Sequence, residues 1–271
     1  MNVRKSMRIT ASFLLCGIFL LAISAELVTP YSYAHQFREI PNAAPSALHP
    51  LGTDGLGRDL FSRLLYGTRV SLLLAPAAAL LSTLIAGALG AAAGFLGGWW
   101  ERAIVAIADV SMASPLLFVL IALRAMLPLN LAPLVSVIAT FLILGLLGWP
   151  SSLRVIWAAT RNIRNSDFLL LARSTGCSPM RMIFRQIFPN LRPALFAQFW
   201  VSIPVFILTE ATLSMLGLGV SEPMPSWGNL LRGLQDFSAV GSNPGRLAPL
   251  AMLTVVVICF QIILPSQEEL G

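Results

Sequence analysis

Two carboxylates stand well inside apolar runs of this chain, Asp109 and Glu210. An ionisable group in hydrocarbon is costly, so each is a candidate for chemistry or for joining helices. The pair could relay protons in an ion-coupled carrier or act as the acid and base of an intramembrane enzyme. Each could equally cross-link helices by pairing with an arginine or a backbone group. Asp109 is followed by Ser111, Ser114 and Pro115, a run that predicts a local helix break. Other catalytic signatures are missing, with no HExxH and no GxSxG in the sequence. The two histidines, His35 and His49, fall in a polar, turn-rich segment and are read as solvated. Gly52, Gly55 and Gly57 cluster there too, yet no GxxxxGK[ST] is present and Lys5 is the only lysine. Turn chemistry explains that cluster better than phosphate binding. Cys16, Cys177 and Cys259 form no CxxC pair, which predicts neither a disulfide nor a metal site. No cofactor is expected.

The second constellation is a basic loop over residues 150–193. Ser166 is placed to cap a short helix, and Gly176 suits the left-handed turn that ends it. Ser178-Pro179 follows as a cap with proline at the first helical position. Met180, Ile183, Phe184, Ile187 and Phe188 then recur at helical spacing, with Arg181 and Arg185 on another face and Pro189 as the expected stop. A loop that only retains charge on one side of a membrane needs no such order. Two short helices bent around a glycine predict a docking site for another subunit. They also resemble a DNA-reading helix pair, but tethering between two membrane spans argues against nucleic acid.

Composition supplies the elements that must position these groups. Of 271 residues, 56% are hydrophobic and 11% charged, where a soluble domain carries about a quarter. Apolar runs long enough to cross a bilayer recur, so the fold class is an all-α membrane protein with about six transmembrane helices in one bundle. The spans are expected at about 11–28, 70–97, 103–123, 131–149, 194–218 and 247–264. Gly87, Gly90, Gly94 and Gly97 give the second a small-residue face on which another helix can pack closely. The basic start, Arg4, Lys5 and Arg8, followed by an apolar run fits an uncleaved first span better than a signal peptide. Positive residues then concentrate in the 150–193 loop, which places it and the N-terminus in the cytoplasm. Three regions are expected: 1–66, an N-terminal helix with an extracytoplasmic segment; 67–265, the main membrane domain; and a short tail, 266–271.

The basic loop resembles the cytoplasmic motif of binding-protein-dependent ABC importer permeases, E-A-A-x-x-x-G with a later I-x-L-P. Leu170, Leu171 and Ala172 stand at the E-A-A positions, Gly176 at the glycine, and Ile187-Phe188-Pro189 at the end. His49-Pro-Leu-Gly-Thr-Asp54, Gly57-Arg-Asp59, Tyr66-Gly-Thr-Arg-Val-Ser-Leu72, Glu210 with Leu213-Ser214, Leu216-Gly-Leu-Gly219 and Pro225-Ser-Trp-Gly228 look like the oligopeptide, dipeptide and nickel permeases in particular. The resemblance implies a multi-pass protein of the bacterial plasma (inner) membrane that is a transport subunit without its own ATPase site. It implies a second homologous permease subunit, two ATP-binding subunits and an extracytoplasmic solute-binding protein as partners. Asp167, Ala172, Arg173, Gly176, Arg181, Arg185 and Pro189 would then couple to the ATPase, and Asp109, Glu210 and Trp227 are packing or gating candidates. The solute would be a peptide or a related small molecule. Leu170 departs from the motif's glutamate, which moves the expected contact from a carboxylate to helix shape, the Gly176 bend and the flanking arginines. The segment Pro265 to Gly271 does not look like the family's usual tail.

Overall fold

The computed structural model describes residues 2–128 and 132–264. The expected tail at 266–271 lies outside the described residues. Helices dominate, in the order α1 Asn2–Ile23, α2 Ala25–Val28, α3 Leu60–Leu96, α4 Gly98–Ala113, α5 Leu116–Ala125, α6 Pro133–Leu147 and α7 Trp149–Arg164. They continue with α8 Asp167–Ser174, α9 Pro179–Met182, α10 Phe188–Met215, α11 Trp227–Arg232, α12 Phe237–Ser242 and α13 Ala248–Ile263. Five helical stretches among the described residues are long and apolar enough to cross a membrane, or six if the bent pair α4–α5 counts as one span. The chain is an all-α membrane protein.

Contacts divide it into two compact units. One comprises 1–75, 123–141 and 204–271; the other comprises 76–122 and 142–203. In the first unit α1 packs along α13, and Arg8 Nη2 donates to the Leu264 carbonyl at 3.1 Å. The segment 29–59 folds on turns over the start of α3. Asp59 organises it: Oδ2 accepts the Ser62 N–H at 2.7 Å and caps the helix, while Oδ1 lies 2.9 Å from His49 Nδ1. His49 is therefore not a solvated residue. It is 5% exposed, beside the rings of Tyr31 and Phe37, whereas His35 is exposed.

In the second unit Leu153, Ile156, Leu169, Ile187 and Leu191 form a core with Ala86, Phe95 and Ala108. The expected small-residue face of α3 meets α7. A Cβ built on Gly94 would lie 2.6 Å from Thr160 Cβ and 3.0 Å from the Trp157 carbonyl oxygen, so only glycine permits this approach. Glu101 on α4 accepts the Trp157 indole N–H at 2.9 Å. The Arg154 and Arg161 guanidinium groups lie over the same ring, 5.2 and 5.7 Å from its centre.

Several boundaries differ from expectation. The second span begins at Leu60, not near Val70, because its polar first turns find partners: Arg63 bonds Glu222 and Arg69 bonds Glu26. The third, by contrast, shows the break expected at Ser114 and Pro115. Ser114 is extended before Pro115, and α4 and α5 meet at 80°. Residues 150–164 are not loop but α7, continuous with α6 in one stretch, Pro133–Arg164. The helix after Ser178 does not stop at Pro189. It passes through a π-helical turn, Ile183–Ile187, directly into α10. Pro189 has no N–H for the Arg185 carbonyl and its ring crowds that group, so the preceding turn widens instead of breaking.

Candidate coupling site

The 165–188 segment is built outward from α7. Pro150, Leu153, Ile156 and Thr160 are the buried face of that helix, and its polar end turns at Asn165. The Ser166 hydroxyl donates back to the Ile163 carbonyl at 2.5 Å, while the Ser166 carbonyl accepts the Leu169 and Leu170 N–H groups that start α8. Asp167 lies in the first turn of α8, where a carboxylate complements the helix dipole. α8 has 8 residues and is about 12 Å long.

Its two faces are sharply different. Leu169 and Ala172 are 0% and 8% exposed and belong to the core of the unit. Phe168, Leu170 and Leu171 are 47%, 50% and 65% exposed. Thr175 donates its N–H to Leu171, and Cys177 donates its own across the bend to the Ala172 carbonyl at 3.0 Å. That second bond is the longer one of a Schellman closure, and it requires the left-handed residue between them. Gly176 supplies it with φ +73°, and among the described residues nothing lies within 4 Å of where its Cβ would be. The constraint at Gly176 is conformational, not spatial.

Beyond the bend, Ser178 is extended and Pro179 opens α9. The π turn then redistributes the expected apolar stripe. Met182 and Ile187 are buried, Ile183 is half-buried, and Met180, Phe184 and Phe188 face outward. Arg181 and Arg185 are exposed and Pro189 is half-buried. The structure thus brings Asp167, Ala172, Gly176, Arg181 and Arg185 onto one bent element; the Arg173 side chain lies outside the described residues. This element presents exposed apolar side chains together with exposed Asp167, Arg181 and Arg185, which suits a groove in another protein.

The remaining candidates are held elsewhere. Asp109 is not buried within this chain: its side chain is 53% exposed and its nearest oxygen is 3.6 Å from Arg154. Glu210 is fully buried on α10. Its Oε1 accepts the hydroxyls of Ser214 at 2.6 Å and Ser226 at 2.8 Å. Ser226 also caps α11, which seats Trp227 at 0% exposure with its indole N–H on Thr68 at 2.9 Å. Glu210 and Trp227 therefore fasten the 219–232 segment to α10 and α3.

Two features escaped the sequence reading. Arg124 on α5 is buried and donates to the carbonyls of Leu218 and Gly219 at 2.8 and 3.1 Å and to the Ser136 hydroxyl. Arg58 and Arg63 join Asp54 to Glu222: Arg58 lies 2.7 Å from Asp54 and 2.6 Å from Glu222, and Arg63 lies 3.1 Å from Glu222. The two acidic partners lie in segments far apart in the chain, and no local pattern announces their pairing.

Comparison with known proteins gives this arrangement a family. The family described as binding-protein-dependent transport system inner membrane component matches residues 84–267. The chain is 32% identical to the glutathione transport system permease protein GsiD of Pectobacterium atrosepticum, over 94% of this chain and 83% of the relative. It is 31% identical to the oligopeptide transport system permease protein OppC of Bacillus subtilis, over 91% of this chain and 78% of that one. The dipeptide transport system permease protein DppC of the same organism is 32% identical over 83% of this chain and 68% of the relative. With most of its length matched and its membrane helices in place, the chain belongs to the family of inner membrane permease components of binding-protein-dependent transport systems.

Proposed function

We propose that this permease subunit carries peptide-class solutes and is driven by separate ATP-binding subunits that dock on the α8 bend. It pairs with a second homologous permease subunit to form the pathway, receives solute from an extracytoplasmic binding protein, and hydrolyses no ATP itself. The N-terminus and the α8 bend lie on the cytoplasmic side. The observation that carries this reading is α8 itself. One face is locked into the core by Leu169 and Ala172, and the other offers Phe168 and Leu171 to a partner. Asp167 and Arg173 on α8, and Arg181 and Arg185 just beyond it, would orient that partner, and Gly176 fixes the bend. A helix so anchored would transmit motion of the partner to α7 and α10. The peptide class is supported by the relatives' names, which are those of glutathione, oligopeptide and dipeptide transport proteins.

The test is uptake of a labelled dipeptide by cells bearing the full transporter. Inactivating the ATP-binding subunits abolishes uptake on this proposal, and a protonophore that leaves ATP levels intact does not. Uptake that survives ATPase inactivation but collapses with the protonophore would establish an ion-coupled carrier instead.

A further inference from the structure

The first unit contains a cavity of about 330 Å³, at the lower end of the range that takes small molecules. Its charged lining is Asp54, Arg58, Arg63, Glu222, Arg232 and Arg246. Both carboxylates are already engaged by Arg58 and Arg63. The surplus positive charge comes from Arg232, an exposed residue of the lining, and Arg246, which is 8% exposed. Arg246 Nη2 donates to the amide oxygen of Asn42, a neutral group, and its buried Nε has no hydrogen-bond partner among the described residues. A buried guanidinium whose hydrogen bond goes to a neutral amide leaves much of its charge uncompensated, and an anion would complete it.

Arg246 is also firmly placed. It sits on a short turn, Pro244–Leu247, begun by Asn243. The buried Asn243 amide donates to the carbonyls of Ala43 and Leu51, both at 3.1 Å, while its oxygen accepts the Gly245 N–H at 2.9 Å. A fixed, desolvated arginine with a second, exposed arginine in the same cavity lining is an arrangement that suits a carboxylate.

We propose that this cavity binds the terminal carboxylate of the transported solute, held between Arg246 and Arg232. The assignment to the solute rests on the peptide-class reading above. The test uses the full-length chain in lipid nanodiscs and equilibrium binding of labelled Ala-Ala, with N-acetyl-Ala-Ala and its C-terminal amide, which lacks the carboxylate, as the matched comparison. Ala-Ala is expected to bind saturably, and the amide about tenfold or more weakly than N-acetyl-Ala-Ala, as for loss of a charge-assisted contact. Arg246→Gln and Arg232→Gln should each weaken Ala-Ala by about tenfold. Arg232 is exposed, so its variant tests the site even if the Arg246 variant misfolds. Equal binding of the amide, no saturable binding, or an unaffected Arg232→Gln variant overturns the proposal. ATP-driven uptake of Ala-Ala by the whole transporter separates the two readings. Uptake without binding removes the cavity site alone. Binding without uptake of any peptide removes the assignment to the solute.

Discussion

Replacing Gly176 by alanine isolates the contribution of the bend. Space is not at issue, since a Cβ there meets nothing within 4 Å among the described residues. The cost is the left-handed backbone at φ +73°, about 1–2 kcal/mol for an L-residue with a side chain. A domain with a stability of about 5–15 kcal/mol survives that loss, so the protein still folds. Strain is relieved most cheaply by opening the bond from Cys177 to the Ala172 carbonyl, which frays the end of α8. If the ATP-binding subunit recognises the closed bend, its affinity falls by the same 1–2 kcal/mol, about 5–30-fold. Asparagine tolerates the left-handed region, so Gly176→Asn should bind almost as the native chain does. The assay is titration of the purified ATP-binding subunits against permease complexes in nanodiscs, with thermal unfolding of each variant as control. Alanine binding as well as glycine, or asparagine losing as much as alanine, would refute the reasoning.

Other positions give sharper contrasts. Leu171→Asp, on a residue 65% exposed, should leave thermal stability unchanged while weakening ATP-binding-subunit affinity by about 1–2 kcal/mol, the burial lost on docking. Leu169→Ala, at 0% exposure, should instead lower stability by about 2–5 kcal/mol, read as a drop in unfolding temperature. Gly94→Val forces a Cβ to within 2.6 Å of Thr160 Cβ and should destabilise by at least about 1–3 kcal/mol; an unchanged melting profile in detergent contradicts that packing. Glu210→Gln keeps an acceptor for Ser214 and Ser226 and should retain uptake. Glu210→Leu strands two buried hydroxyls at about 1–3 kcal/mol each and should not retain it. Loss of uptake in a stable Glu210→Gln variant would point back to an ionisable group in the transport step.

The parts legible in the sequence were those governed by neighbours in the chain. Gly176, Ser178-Pro179 and the Ser114-Pro115 break declare themselves because turn and cap preferences act over a few residues. Gly90 and Gly94 announced a close helix contact for the same reason, although only the fold shows that α7 is the neighbour. What stayed hidden depends on partners far along the chain. The early start of α3 needs Glu222 and Glu26 to satisfy Arg63 and Arg69. Burial of His49 needs Asp59 and two aromatic rings brought together by turns. The π turn before Pro189 was missed differently. A proline signals disturbance of a helix, but whether the chain breaks or widens is decided by the packing of Ile187 and Leu191. At the site, the sequence located the bend, while the exposed face of α8 became visible only once Leu169 and Ala172 were seen in the core.

If α8 is the contact for the ATP-binding subunit, a cross-linker on its exposed face will capture that subunit. A photoreactive phenylalanine analogue placed at Leu171 in the full transporter, with one at the exposed Leu27 as comparison, is irradiated and the captured protein identified. An ATP-binding subunit should be captured from position 171 and not from position 27. Capture of that subunit from position 27 alone, or from neither position in a transporter active in uptake, would contradict it.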